Sequence, residues 1–140
     1  EPFTKVLPKP LIPINGKPII EHIISQFTEF NCNNFFISIN YKNKIMKAYF
    51  QEKEYDYNIN FINEDIPLGT AGSLKYLENK FKKPFFVTNC DILIKTNLNK
   101  FYEFDVNGKY DLTLIASSKE YLVPYGTIKL NKKGQLSKIL

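Results

Sequence analysis

An α/β three-layer sandwich, with a mostly parallel sheet and helices on both faces, is the architecture predicted by this 140-residue sequence. Strand-like and helix-like segments alternate through most of its length, and that alternation favours parallel pairing under covering helices. The strand-like segments include short apolar runs, "NFFISIN" and "PFFVT", of the kind found where a sheet is buried. Apolar residues make up 44% and aromatics, all Phe and Tyr, 15%. The chain is therefore long enough and apolar enough for one domain with a core filled by large rings.

The elements follow in order. Residues 18–30 read as a helix, because Ile19, Ile20, Ile23, Ile24, Phe27 and Phe30 recur at helical spacing with Glu21, Gln26 and Glu29 elsewhere. Pro18 suits its first turn, where a missing N–H costs nothing. Residues 34–40 read as a buried strand and residues 43–50 as a short helix with Ile45, Met46, Tyr49 and Phe50 on its apolar side. Asn58–Asn63 is a second strand, 70–77 a short helix and 84–88 a third, buried strand. Residues 98–105 are predicted helical and 111–116 extended. Residues 125–130 should pair with the last residues through the "NKKG" turn as a hairpin. No internal repeat, low-complexity tract or linker interrupts this order.

Composition narrows the function. Net charge is +5 and every basic residue is Lys. Arg is the commonest base-reading side chain, so its absence argues against sequence-specific DNA reading. A basic surface could meet nucleic acid, anionic lipid or phosphorylated small molecules, but the lysines are scattered and mostly a solvated surface, leaving one or two for a site. No apolar run approaches the roughly 20 residues of a membrane span, and no signal peptide is expected ahead of the fold. Cys32 and Cys90 are too few for a disulfide framework or a zinc site. A reducing, cytoplasmic setting is the expectation.

In parallel α/β sheets, ligands bind at the carboxyl ends of the strands. Three loops are therefore candidates: residues 64–69, 89–93 and 117–125. In "NEDIPLGTAGSL", Gly69 would let backbone approach a ligand, and Thr70 could cap the following helix, whose first N–H groups could contact a ligand. The plainer reading is a strand-to-helix junction that needs a Gly and a cap. In "PFFVTNCDIL", Asp91 ends a strand and suits Mg²⁺ shared with phosphate oxygens; the alternative is a cap or loop hydrogen bond. Lys9, held between Pro8 and Pro10, is restricted on both sides. His22 reads as structural or surface, and Cys90 as a small buried residue rather than a nucleophile.

Taken together, these pieces have an order. "PFTKVLPKPLIPINGKPIIEHII" resembles the P-x-T-x-x-x-P-K-P-L-x-P-x-x-x-K-P-x-I segment of the sugar-1-phosphate nucleotidyltransferases. "EDIPLGTAGSL" resembles their E-x-x-P-L-G-T-A loop, "FFVTNCDIL" the strand-end segment usually written G-D, and "VPYGTIKL" the Y-G-x strand. Nearly all 140 residues are covered, most closely by mannose-1-phosphate guanylyltransferase-like members.

The resemblance implies a Rossmann-like fold, with residues 1–140 forming part of a catalytic domain. It also implies a reaction: a sugar 1-phosphate oxygen attacks the α-phosphorus of a nucleoside triphosphate, and pyrophosphate leaves. By resemblance, Lys9 would meet phosphate oxygens, Asp91 would hold Mg²⁺, and Gly69 and Thr70 would pack against base and ribose. Asn89, Tyr125 and Gly126 would line the sugar side, and Glu64 would reach the Watson–Crick edge of the base. An ionised carboxylate only accepts hydrogen bonds. Guanine presents two adjacent donors, N1–H and the 2-amino group, so GTP is the expected donor; the plainer reading is that Glu64 simply faces solvent beside Asp65.

The family's G-x-G-T-R loop and its strand would lie ahead of Glu1, and an E-K-P segment beyond Leu140; Cys90 stands where Gly is usual. The expected partners are a nucleoside triphosphate and a hexose or aminohexose 1-phosphate, without nucleic acid or membrane, and a homo-oligomer is left open. Two other readings stand beside the enzyme. One is a degenerate module that senses nucleotide or sugar phosphate without catalysis. The other is a metal-dependent glycosyltransferase, whose D-x-D acid pair is not matched by "CDI".

Overall fold

In the computed structural model, residues 5–40, 42–121 and 126–139 are described. They fall into two units, Glu1–Tyr110 and Asp111–Leu140.

The first unit opens with one turn of 3₁₀ helix at Lys9–Leu11, entered from Pro8 in an extended conformation (φ −61°, ψ 144°). Two short antiparallel strands follow, β1 (Pro13–Ile14) and β2 (Lys17–Pro18). Asn15 and Gly16 join them with φ of 51° and 78°, the left-handed pair that a two-residue hairpin turn requires. This hairpin was not anticipated, although Asn-Gly is its usual signal.

Helix α1 spans Ile19–Glu29 and buries Ile20, Ile23 and Ile24 at i, i+3, i+4 spacing. Pro18 is its N-cap, one position before the expected place. Asn31, at φ 63°, closes the far end, where the Cys32 N–H donates to the Phe27 carbonyl at 2.9 Å.

Strands β3 (Asn34–Ile39) and β4 (Asn58–Asn63) pair in parallel, with Asn34 opposite Asn58 and Ile39 opposite Asn63. Helix α2 (Asn43–Gln51) makes the crossover between them and buries Met46 and Phe50. These two side chains join Leu11, Ile20, Ile24 and Ile39 in the core. Phe35, Ile37, Ile59 and Phe61 pack against it; they sit at odd positions of the paired strands and so share one sheet face.

Beyond β4 the structure departs from expectation. The short helix expected at 70–77 is a 3₁₀ helix, Gly72–Leu77, with Ala71 at its N-cap and no capping side chain; Thr70 does not cap it. Residues 84–88 and 111–116 form no strand. The described residues hold one parallel pair and two antiparallel pairs, rather than one mostly parallel sheet.

An apolar run announces burial, whereas a strand exists only where a ladder partner lies alongside. Phe86 is packed among Phe27, Phe30 and Tyr102, while Phe85 and Val87 stay about half exposed. Helix α3 (Leu98–Gly108) runs longer than expected. The Asn97 side chain caps it by accepting from the Lys100 N–H at 3.1 Å, and Lys109 ends it in the left-handed region.

The second unit contains the hairpin of β5 (Ile128–Leu130) and β6 (Leu136–Ile139), with an irregularity between Lys129 and Leu130. Its turn is held by the Asn131 side-chain oxygen, which accepts from the N–H groups of Lys133 (2.9 Å) and Gln135 (3.0 Å).

Candidate functional site

A cleft of about 680 Å³ lies in the first unit, within the size range of small-molecule sites. One wall is β3 with Ile62 and Glu64. Another is the loop Gly69–Thr70 with Leu74 and Leu77, and a third is the segment from Pro84 to Cys90. The cleft thus gathers Glu64, Gly69, Thr70 and Asn89, four of the residues singled out in the sequence.

Glu64 follows β4, its N–H donating to the Ile39 carbonyl at 3.0 Å as the ladder's last rung. The carboxylate is held from two sides. The Ser38 hydroxyl donates to one oxygen, and the Leu68 N–H donates to the other at 3.3 Å. The Asn40 side-chain amide donates to the Glu64 carbonyl at 2.6 Å. Neither Ser38 nor Asn40 was anticipated. The available signal was their alternate spacing at the carboxyl end of β3, which puts both on one face.

The loop after Glu64 is shaped by two glycines. Gly69 adopts φ +85°, open to glycine but costly for other residues. At Gly72 a Cβ would stand 2.3 Å from the Leu68 Cβ, so the chain can pass there only without a side chain.

Lys9 is exposed beside buried Pro8 and half-buried Pro10. Asp91 occupies the turn that follows Asn89 and Cys90. The Cys90 thiol links the two electrostatically. Desolvation holds it above its ordinary value, with the Asp91 carboxylate next; a backbone hydrogen bond and the Lys9 ammonium pull it down. The fold thus brings Lys9 within electrostatic reach of the Asn89–Asp91 turn across some 80 residues of chain. A thiol pushed upward is a poor nucleophile, but Cys90 is exposed rather than the small buried residue expected, because the segment that carries it joins no sheet. His22 is structural: its Nε2–H donates to the Ile14 carbonyl at 2.9 Å and ties α1 to the β1–β2 hairpin.

Gly126 lies in the second unit just ahead of β5, exposed to solvent. Tyr125 lies outside the described residues.

The profile of the nucleotidyl transferase family matches residues 1–140, and the chain belongs to that family. Among its curated relatives, the mannose-1-phosphate guanyltransferase of Pichia angusta is 37% identical over 91% of this chain. The D-glycero-alpha-D-manno-heptose 1-phosphate guanylyltransferase of Aneurinibacillus thermoaerophilus is 31% identical over 87%. The chain spans 36% of the length of the first and 54% of the second. Among solved structures, HddC from Yersinia pseudotuberculosis, crystallised with GMP-PN, shares the fold. Its TM-score is 0.70 at 24% identity, over 96% of this chain and 60% of HddC.

Proposed function

We propose that this chain carries the nucleotide-binding part of a sugar-1-phosphate guanylyltransferase that joins GTP to a hexose 1-phosphate. The observation that supports this most is the cleft, which gathers the Glu64 carboxylate, the Gly69–Thr70 loop and the Asn89–Cys90 segment. In the reaction, an oxygen of the sugar 1-phosphate bonds to the α-phosphorus. The bond from that phosphorus to the β-phosphate's bridging oxygen breaks, and pyrophosphate leaves with the electron pair. Such chemistry needs alignment and charge neutralisation more than covalent help.

Glu64 accepts from N1–H and the 2-amino group of guanine. Gly69 and Thr70 flank base and ribose, Lys9 neutralises phosphate charge, and Asn89, Tyr125 and Gly126 serve the sugar. The relatives' names favour guanine as the base and mannose 1-phosphate as the first acceptor to try.

Among the described residues, no three His, Cys, Asp or Glu side chains cluster as a metal cage. Mg²⁺ is usually held by one or two carboxylates plus phosphates and water. Asp91 is the residue that would hold it, and the ion would supply charge neutralisation at the phosphates. A cytoplasmic setting and the full three-layer, Rossmann-like sandwich belong to the same proposal.

Donor competition on the full chain tests the reading, with GTP, UTP and dTTP offered against mannose 1-phosphate and pyrophosphate release measured. GTP should win, and Glu64→Gln should erode its advantage by roughly 1–3 kcal/mol, the worth of a charge-assisted pair left mismatched. A native preference for UTP or dTTP would overturn the base assignment. Asp91→Asn and Lys9→Met should each remove most turnover with the fold retained; near-native rates would remove them from the site. A sensing module would bind nucleotide and release no pyrophosphate.

A further inference from the structure

We infer that Ser38 is a positioning residue for donor-base selection, acting through Glu64. The inference rests on the base-reading role given to Glu64 above. β3 and the Glu64 loop hold this one side chain at both ends. Ser38 donates to one carboxylate oxygen and the Leu68 N–H to the other, while Asn40 and the Ile39 carbonyl fix the Glu64 backbone. An ionised carboxylate has about four lone-pair sites, two on each oxygen. The two internal donors use one site on each oxygen and leave one on each.

What remains is a two-point acceptor, which matches two neighbouring N–H donors better than a single donor between acceptors. A free Glu side chain would have to give up rotamer freedom as the base arrived. Here that freedom is already restricted before binding, so more of the contact energy is available to discriminate between bases. Leu68 is set by the loop's own geometry, notably the close approach at Gly72. Ser38, exposed at the end of β3, is the member of the brace that can be changed without disturbing the core.

The experiment compares Ser38→Ala, Ser38→Thr and Glu64→Gln in the full chain, with KM and kcat for GTP and UTP and the melting temperature of each. Ser38→Ala should raise the KM for GTP roughly three- to tenfold, the worth of one hydrogen bond, with kcat little changed. Its GTP-over-UTP preference should fall by a similar factor. Ser38→Thr, which keeps the hydroxyl, should restore both.

A purely structural role would instead lower the melting temperature and weaken both donors alike, and that result overturns the inference. So does an unchanged preference in Ser38→Ala while Glu64→Gln erodes it. If Glu64→Gln itself leaves the preference intact, the base-reading assignment fails first. In the double variant, Ser38→Ala should add nothing to the erosion caused by Glu64→Gln, because the two act through one contact; full additivity counts against the inference.

Discussion

Tyr49 and Gly72 show how single residues in this protein are set by their neighbours. The Tyr49 hydroxyl donates to the Glu21 carboxylate, tying α2 to α1, and Lys53 approaches the same carboxylate at 3.4 Å. Desolvation, then the hydrogen bond to Glu21 and its charge, push the phenol up to about 12. Tyr57 is raised as well, first by desolvation. A raised phenol keeps its proton in the folded chain while the unfolded chain loses its own near 10. The contribution is therefore intact below pH 10 and lost as the pH climbs towards 12. Urea unfolding in that window should show stability falling with pH, and Tyr49→Phe should make the fall shallower; an unchanged slope would exclude Tyr49 as a contributor. At Gly72, alanine would drive a methyl into Leu68 and shift the N–H that holds Glu64. Gly72→Ala should weaken GTP binding several-fold, and calorimetric titration showing native affinity would mean the loop yields without cost.

At the scale of elements, local and distant causes separate cleanly. Helix α3 has no fully buried residue, so its end groups matter more than its packing. Replacing the Asn97 cap with alanine should cost about 1 kcal/mol in chemical denaturation, and a loss near zero would mean the first turn is held by something else. Helices α1 and α2 are held differently, through Ile20, Ile24, Met46 and Phe50 in the common core. Their strength comes from an apolar face meeting β3 and β4 more than from propensity. The β5–β6 hairpin leaves Ile128, Leu130, Leu136 and Ile139 more than half exposed. An isolated hairpin of this kind is marginal in water, and its turn, organised by Asn131, sets its register.

For the whole molecule, net charge would govern encounter with the polyanionic donor proposed above. The net charge of +5 is carried entirely by lysine, a compact, well-hydrated cation whose long-range pull is screened by salt. The KM for GTP should therefore rise several-fold as ionic strength goes from about 0.1 M to about 1 M, where the screening length falls from about 10 Å to about 3 Å. A KM indifferent to salt would confine the attraction to contacts inside the cleft. No helix among the described residues is long and apolar enough to cross a membrane.

By itself, the sequence determined the elements whose cause is local. α1, β3, α2 and β4 lie within a residue or so of their expected bounds, because periodicity and turn residues act over a few positions. The order and spacing of four segments, those containing "PKPL", "PLGTA", "TNCD" and "PYGT", were enough to indicate the family. The tertiary structure alone decided what depends on chain segments far apart. The run at 84–88 looked like a strand because it is apolar, but a ladder needs a neighbour that apolarity cannot supply. The brace on Glu64 was invisible for the same reason. Ser38 and Glu64 are 26 residues apart, and only the parallel register of β3 on β4 brings a hydroxyl to a carboxylate. Tyr125 lies outside the described residues and Gly126 in the second unit, and the reading of both rests on their motif alone. Lys9 and Asp91 come from separate motifs; Asp91 adjoins Cys90 in the chain, whereas what brings Lys9 within electrostatic reach of the same thiol is the path of the folded backbone, which no local pattern encodes.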